Sequence, residues 1–268
     1  MRYTILGGGI AGMQAAITAH KYGHKVTLIE KGSELGGNLL CERNVPFKDR
    51  LHDYIEQQKT LIEKAGIEVH LNTDATPEYA KSLHPDAVFV AIGSVPAVPP
   101  IKGIDMPHVK QAMEVFKNPD LAAGKTVILG GGLVGTELAI HLVGDHGKKV
   151  DVIEMLDDIN AGDNQVHKRA IEDMIIQKNI PIHLKTRVIE ITENGVRCEC
   201  DGKEVFYEAD TVVNAAGMKS RMKEALAFNE CAPIFYMIGD CRKASNIIYA
   251  TGTAYTAAKY LGRFSEHV

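Results

Sequence analysis

The chain has 268 residues, 45% apolar and 24% charged, with a net charge of −4, the balance of an ordinary globular protein. That charge leaves no basic footprint for nucleic acid, and no apolar run approaches the about 20 residues that span a bilayer. The five cysteines are scattered rather than framed for disulfides, so a cytoplasmic setting is expected.

Residues 2–6 read as a strand, 11–22 as a helix and 25–30 as a second strand. The strand pattern begins at Arg2, so no signal peptide is expected. A helix over 48–65 follows, with Leu51, Ile55, Leu61 and Ile62 toward one side and Gly66 as its stop. Strands at 67–71 and 86–92 lead into residues 93–103, where Pro96, Pro99 and Pro100 stiffen an extended crossing and mark a domain boundary. The second unit opens with a strand over 126–129, a helix over 133–146 and a strand over 149–154. A helix over 164–178 and a strand over 181–184 come next. Segments 187–192, 196–200 and 204–207 read as an antiparallel meander with Gly-containing turns. Strands over 211–215 and 235–238 and a helix from about 251 to 261 complete the chain. Strands alternating with helices give an α/β class with parallel sheets, in two Rossmann-like units.

Two stretches repeat one device: YTILGGGIAGMQAAI from Tyr3 and VILGGGLVGTELAIHL from Val127. Gly7, Gly9 and Gly12, and again Gly130, Gly132 and Gly135, have the spacing G-x-G-x-x-G. The first glycine permits the tight turn, the second lets a pyrophosphate approach, and the third lets helix and strand pack. The helix N-terminus offers N–H groups and a positive dipole end to the phosphates. Each motif follows a strand and is followed by an acid ending the next strand, Glu30 and Glu154, placed to accept ribose hydroxyls. After Glu154 the loop adds Asp157, Asp158 and Asp163 and no Lys or Arg, which disfavours a 2′-phosphate and predicts NADH over NADPH.

Four further stretches fall in a telling order: EKGSELGGNL from Glu30, AIGS at 91–94, NAAG at 214–217 and YMIGDC at 236–241. This order resembles the two-dinucleotide-domain flavoproteins of the pyridine nucleotide–disulfide oxidoreductase fold. Within them it resembles the C-terminal flavin and nucleotide module of the 2,4-dienoyl-CoA reductase, enoate reductase and trimethylamine dehydrogenase family. The resemblance covers essentially the whole chain, and the stretches from Pro46 to Glu78 and from Gly239 to Tyr255 carry it most specifically.

The resemblance implies an FAD domain at 1–105 with 229–268, and an NAD(H) domain at 106–228 inserted in it. Gly7, Gly9, Gly12 and Glu30 would hold the ADP half of FAD, and Gly36, Gly37 and Asn38 its pyrophosphate and flavin side. Asp240 would bond the ribityl chain, and the last helix would aim its N-terminus at the flavin. Lys31, Ala91, Gly93 and Gly239 join the FAD candidates. Gly130, Gly132, Gly135, Glu154 and Gly217 are the NADH candidates. Hydride would pass from NADH to FAD with no catalytic side chain, and electrons would pass on to an Fe–S/FMN-containing barrel or another electron-acceptor protein. The family's barrel is absent from this sequence. Both ends match the module's limits, which favours an excised piece over a separate protein acting on a partner. Two alternatives stand beside this reading: a module holding an adenine nucleotide structurally, and a stand-alone NADH reductase of a small carrier, which the lack of a basic docking patch disfavours.

Other side chains receive plainer expectations. No C-x-x-C or C-x-x-x-x-C pair is present, so disulfide reductase chemistry is not expected. Cys198 and Cys200 share one strand face and are expected to pack there. No metal-ligand pattern occurs. His20, His24, His141 and His146 are expected at the surface or at helix ends, Lys31 and Lys219 as surface charges, and Tyr249 and Tyr255 in packing.

Overall fold

The computed structural model describes residues 1–160 and 164–261. In chain order the elements are β1 (Arg2–Leu6), α1 (Ile10–Lys21), β2 (Lys25–Ile29), α2 (Asp49–Lys64), β3 (Glu68–His70), α3 (Pro77–Ser82), β4 (Ala87–Val90) and β5 (Ser94–Pro96). Then come β6 (Val109–Gln111), α4 (Ala112–Lys117), β7 (Lys125–Leu129), α5 (Leu133–His146), β8 (Lys149–Ile153), α6 (Gln165–Gln177), β9 (Ile182–His183), β10 (Thr186–Thr192), β11 (Gly195–Cys200), β12 (Lys203–Glu208) and β13 (Thr211–Asn214). The chain ends through β14 (Met218–Ser220), α7 (Met222–Leu226), β15 (Ile234–Met237) and α8 (Ile247–Tyr260).

The chain forms two compact units: Met1–Val95 with the chain from Met218 onward, and Pro96–Gly217. These divisions fall earlier than 105/106 and 228/229. Residues Ile101, Ile104 and Met106 pack on the β-core of the second unit, while Ala225 and Phe228 are buried in the first.

The first unit has a five-stranded sheet in the order β15-β4-β1-β2-β3, every pairing parallel. Its central strands are buried on both faces, as parallel strands between helices must be. Tyr3, Ile5, Leu28 and Phe89 face one core with α1 and α8, and Leu6, Ile29, Val88 and Val90 face another with Ala225 and Phe228. α1 turns Ala15, Ala16 and Ala19 inward, and α8 turns Ala250, Ala254 and Ala258 inward. These small side chains allow the two helices to pack closely. On α2, Ile55 and Ile62 are buried as expected, but Leu61 faces out and Gln58 takes the inner position.

The second unit repeats the plan. Its sheet runs β6-β13-β7-β8-β9, again wholly parallel, and β10-β11-β12 form the expected antiparallel meander. The register of β10 and β11 shifts at Val188/Glu190, a bulge that bends the ribbon. Cys198 packs with Val127, Leu129, Ile191 and Val212 beneath the meander, as expected. α5 is buried for most of its length, and this overturns the surface expectation for His141. That ring lies against Phe116 and bonds the Asp145 carboxylate through Nδ1 at 2.7 Å.

Candidate functional site

Both glycine motifs form a strand-turn-helix with the same geometry. The first glycine of each turn has positive φ, +105° at Gly7 and +115° at Gly130. A side chain on Gly130 would meet the Ala215 carbonyl oxygen at 2.6 Å, and one on Gly7 would overlap that of Ala91. A Cβ on the third glycine, Gly12 or Gly135, would overlap the carbonyl oxygen of the first. These glycines are required by the fold itself.

The middle glycines are not. Gly9 and Gly132 have φ of −70° and −72°, which any residue can adopt. A Cβ on Gly132 would meet nothing within 4 Å, and one on Gly9 only the Gly37 Cα at 3.8 Å. Both residues cap helices of at least 12 residues without a side-chain hydrogen bond. The space that a Cβ would enter thus opens in front of helix N–H groups lacking intrahelical partners. That arrangement fits a pyrophosphate in each unit.

The two acids are held alike. Glu30 accepts from Gly8 N–H and Gly32 N–H, both at 2.6 Å. Glu154 accepts from Gly131 N–H at 2.6 Å and Leu156 N–H at 2.8 Å. Each carboxylate is therefore fixed at the end of its strand by one bond per oxygen, leaving a second acceptor position on each. Ala91 N–H donates to Leu6 O at 2.7 Å, and Ala215 N–H to Leu129 O at 2.9 Å, so the neighbouring loops close on the two turns in parallel fashion.

In the first unit, Gly36 N–H donates to Gly8 O at 2.9 Å, and a Cβ on Gly37 would meet the Gly9 Cα at 2.8 Å. The Gly36–Gly37 pair therefore lies against the phosphate turn. Asn38 donates from Nδ2 to the Ser94 carbonyl at 3.1 Å, and Ser94 Oγ donates to Asp240 Oδ2 at 2.9 Å. Gly239 N–H donates to Thr253 Oγ1 of α8 at 3.0 Å. Asn38 and Asp240 are thus linked through Ser94, and Gly239 is tied to α8 through Thr253; neither Ser94 nor Thr253 was among the candidate site residues. Lys31 and Gly217 are both exposed. α8 begins at Ile247 rather than 251, because the Asn246 side chain caps it through Tyr249 N–H at 2.8 Å.

In the second unit, Asn214 is buried and donates from Nδ2 to Ala97 O at 2.8 Å and Gln111 Oε1 at 2.9 Å. The acidic loop is less simply negative than its sequence. Asp158 is ion-paired with Lys168 of α6, and Lys185 N–H donates to Leu156 O at 2.8 Å. One cation from elsewhere in the chain, Lys168, therefore stands by the loop. Asp163 lies outside the described residues.

Two of the buried cysteines are poorly placed for thiolate chemistry. Burial pushes the Cys198 thiol up to about 12 and the Cys241 thiol up to about 11, so neither forms a thiolate near neutral pH. Cys241 Sγ donates to the Val90 carbonyl at 3.0 Å. Among the described residues no His/Cys/Asp/Glu cluster could hold a metal ion, and no helix is long and apolar enough to cross a membrane.

Residues 1–258 match the pyridine nucleotide-disulphide oxidoreductase family. The chain belongs to that family. It is a flavoprotein oxidoreductase domain whose cofactors are FAD and NAD(H). A cinnamate reductase of Clostridium sporogenes is 36% identical over 95% of this chain and 38% of its own length. An NADH oxidase of Thermoanaerobacter brockii is 34% identical over 96% of the chain and 40% of its own length. The structure of a 2-naphthoyl-CoA reductase superposes with a TM-score of 0.90 at 30% identity, over 96% of this chain and 39% of that one. The chain spans about two-fifths of the length of these relatives. The family and these relatives agree with the enoate-reductase-type FAD/NAD module that the sequence resembles.

Proposed function

We propose that this chain is the electron-entry module of a reductase acting on conjugated substrates, taking hydride from NADH onto FAD and passing electrons to an Fe–S/FMN-containing part. The observation that supports it best is the doubled cradle, in which Gly9 and Gly132 leave room that the fold does not use. Two such cradles suit two dinucleotides, one a donor and one an acceptor. The first unit would take FAD through the Gly7–Gly12 turn, Glu30, the Gly36–Gly37 pair and Asp240. The second would take NADH through the Gly130–Gly135 turn and Glu154. Bound FAD supplies a two-electron acceptor and a one-electron donor in the same site. The chain's own work is to fix the ribose-binding carboxylates, present helix N–H groups to the phosphates, and position Asp240 through Ser94. Cinnamate and 2-naphthoyl-CoA, named for two relatives, are both conjugated π systems, which supports the substrate class.

The test is the visible spectrum of the FAD-loaded chain under anaerobic conditions. The flavin band is expected to bleach on adding NADH and to respond far less to NADPH. A chain that stays colourless after incubation with FAD would overturn the proposal. Reduction of cinnamate by this chain alone is expected to fail, and success would place the substrate site here instead.

A further inference from the structure

The loop after Glu154 has a defined path. It starts at the bond from Leu156 N–H to the Glu154 carboxylate and returns to the glycine turn. There Asn160 N–H donates to Gly131 O at 3.0 Å, and the Asn160 side chain bonds the Thr136 hydroxyl at 3.3 Å. Asp158 stands within that return, with its side chain 49% exposed. It is paired with Lys168, whose side chain is only 13% exposed and whose ammonium group lies 3.9 Å from Glu172. Lys168 is thus a largely covered cation held between two carboxylates, and the more exposed of them belongs to the loop that begins at the ribose acid.

We propose that Asp158 is a specificity-determining residue of the nicotinamide nucleotide site, because it engages the cation that a 2′-phosphate would otherwise recruit. This rests on the reading of the second unit as the NADH site with Glu154 at the adenosine ribose. A phosphate on the 2′-oxygen would meet the charges of Glu154, Asp157 and Asp158 and needs an ammonium or guanidinium group to offset them. A lysine binds phosphate as a point charge on a flexible stem. Lys168 has that chemistry but is already neutralised. Removing the Asp158 charge deletes one repulsion and releases Lys168 toward the ligand in the same step.

The experiment is calorimetric titration of the FAD-loaded chain with NAD⁺ and with NADP⁺, which reads binding rather than turnover. The wild type is expected to favour NAD⁺. Asp158→Asn should narrow the ratio of the two dissociation constants about fivefold or more, with a smaller effect at high salt. Asp158→Ser, with a smaller neutral side chain, should do the same. Adding Lys168→Gln to Asp158→Asn should remove most of the gain. An unchanged ratio in both single variants, or a full gain in the double variant, would overturn the proposal. Glu154→Gln separates the two levels. If NAD⁺ binds the wild type and this variant binds it less tightly, the nucleotide site stands whatever Asp158 does. If the wild type binds neither nucleotide, the underlying reading falls and the proposal with it.

Discussion

The glycines of each turn divide into two physical kinds, and substitution should separate them. Gly12 and Gly135 are packed against the carbonyl oxygen of their own turn, so a single methyl group there must move backbone. Gly12→Ala and Gly135→Ala are expected to cost about 3 kcal/mol or more, read as a fall in the urea midpoint. Gly132 has ordinary φ and open space at its Cβ position. Gly132→Ala should therefore cost no more than about 1 kcal/mol, the loss of a glycine N-cap, while NADH binding weakens at least tenfold by titration. Equal loss of stability at Gly132 and Gly135 would refute the distinction. Cys198 is a second residue whose surroundings set a measurable property. Its ordinary pKa is 9.0 and burial raises it to about 12. Below pH 9 the thiol is protonated in both states, so its contribution to stability is fully present. Above pH 9 the unfolded chain ionises first, and that contribution is lost as pH rises toward about 12. Denaturation midpoints compared at pH 8 and pH 11 should fall less in Cys198→Val than in the wild type, and identical declines would count against this assignment.

Single polar side chains organise whole elements. Asn246 accepts from Tyr249 N–H and sets the start of α8. Asn246→Ala should cost about 1 kcal/mol of stability, measured by thermal unfolding, and should slow FAD uptake if α8 faces the flavin. Asn214 ties β13 to Gln111, at the start of α4, and to the Ala97 backbone. Asn214→Leu would leave the half-buried Ala97 carbonyl and Gln111 side-chain oxygen without their donor and is expected to cost about 1–2 kcal/mol. Elements dictated by local pattern were legible in the sequence: β1, α1 and β2, and likewise β7, α5 and β8, follow from an apolar run, a glycine turn and an acid. The short α3, α4 and β6 were not, because three to six residues carry too little periodicity to register. The start of α8 could have been found, since Asn246 is a good N-cap residue just ahead of an apolar run. Ser94 and Thr253 gained their places only through tertiary contact, and so did the Asp158–Lys168 pair. No spacing rule connects a loop acid to a lysine ten residues on across a different helix. His141 was misjudged because α5 is apolar on nearly every side, leaving its one buried ring no route to solvent.

At the scale of the molecule, the chain builds one plan twice. Strands β1, β2, β3 and β4 have their counterparts in β7, β8, β9 and β13, in the same spatial order. The fifth strand differs: β15 comes late in the chain, whereas β6 precedes the rest of its sheet. Each unit also has its own core and its own fixed acid. A dinucleotide bound to one unit should therefore stabilise that unit directly. At a ligand concentration about 100 times the dissociation constant, the expected stabilisation is about 2.7 kcal/mol. Hydrogen exchange on the FAD-loaded chain can read where it falls. Adding NAD⁺ should slow exchange at the start of α5 and along residues 154–160, including Leu156 and Asn160 N–H. The turn from Gly7 to Met13 should be slowed by FAD alone, relative to the chain stripped of FAD. In Gly132→Ala the NAD⁺ protection should vanish while the FAD protection remains. Protection of Gly7–Met13 by NAD⁺ would reverse the assignment, since one nucleotide would then occupy the cradle given to the other. Protection spread evenly over both turns would contradict two separate sites, because a bond-by-bond match between Glu30 and Glu154 predicts similar cradles, each answering to its own ligand.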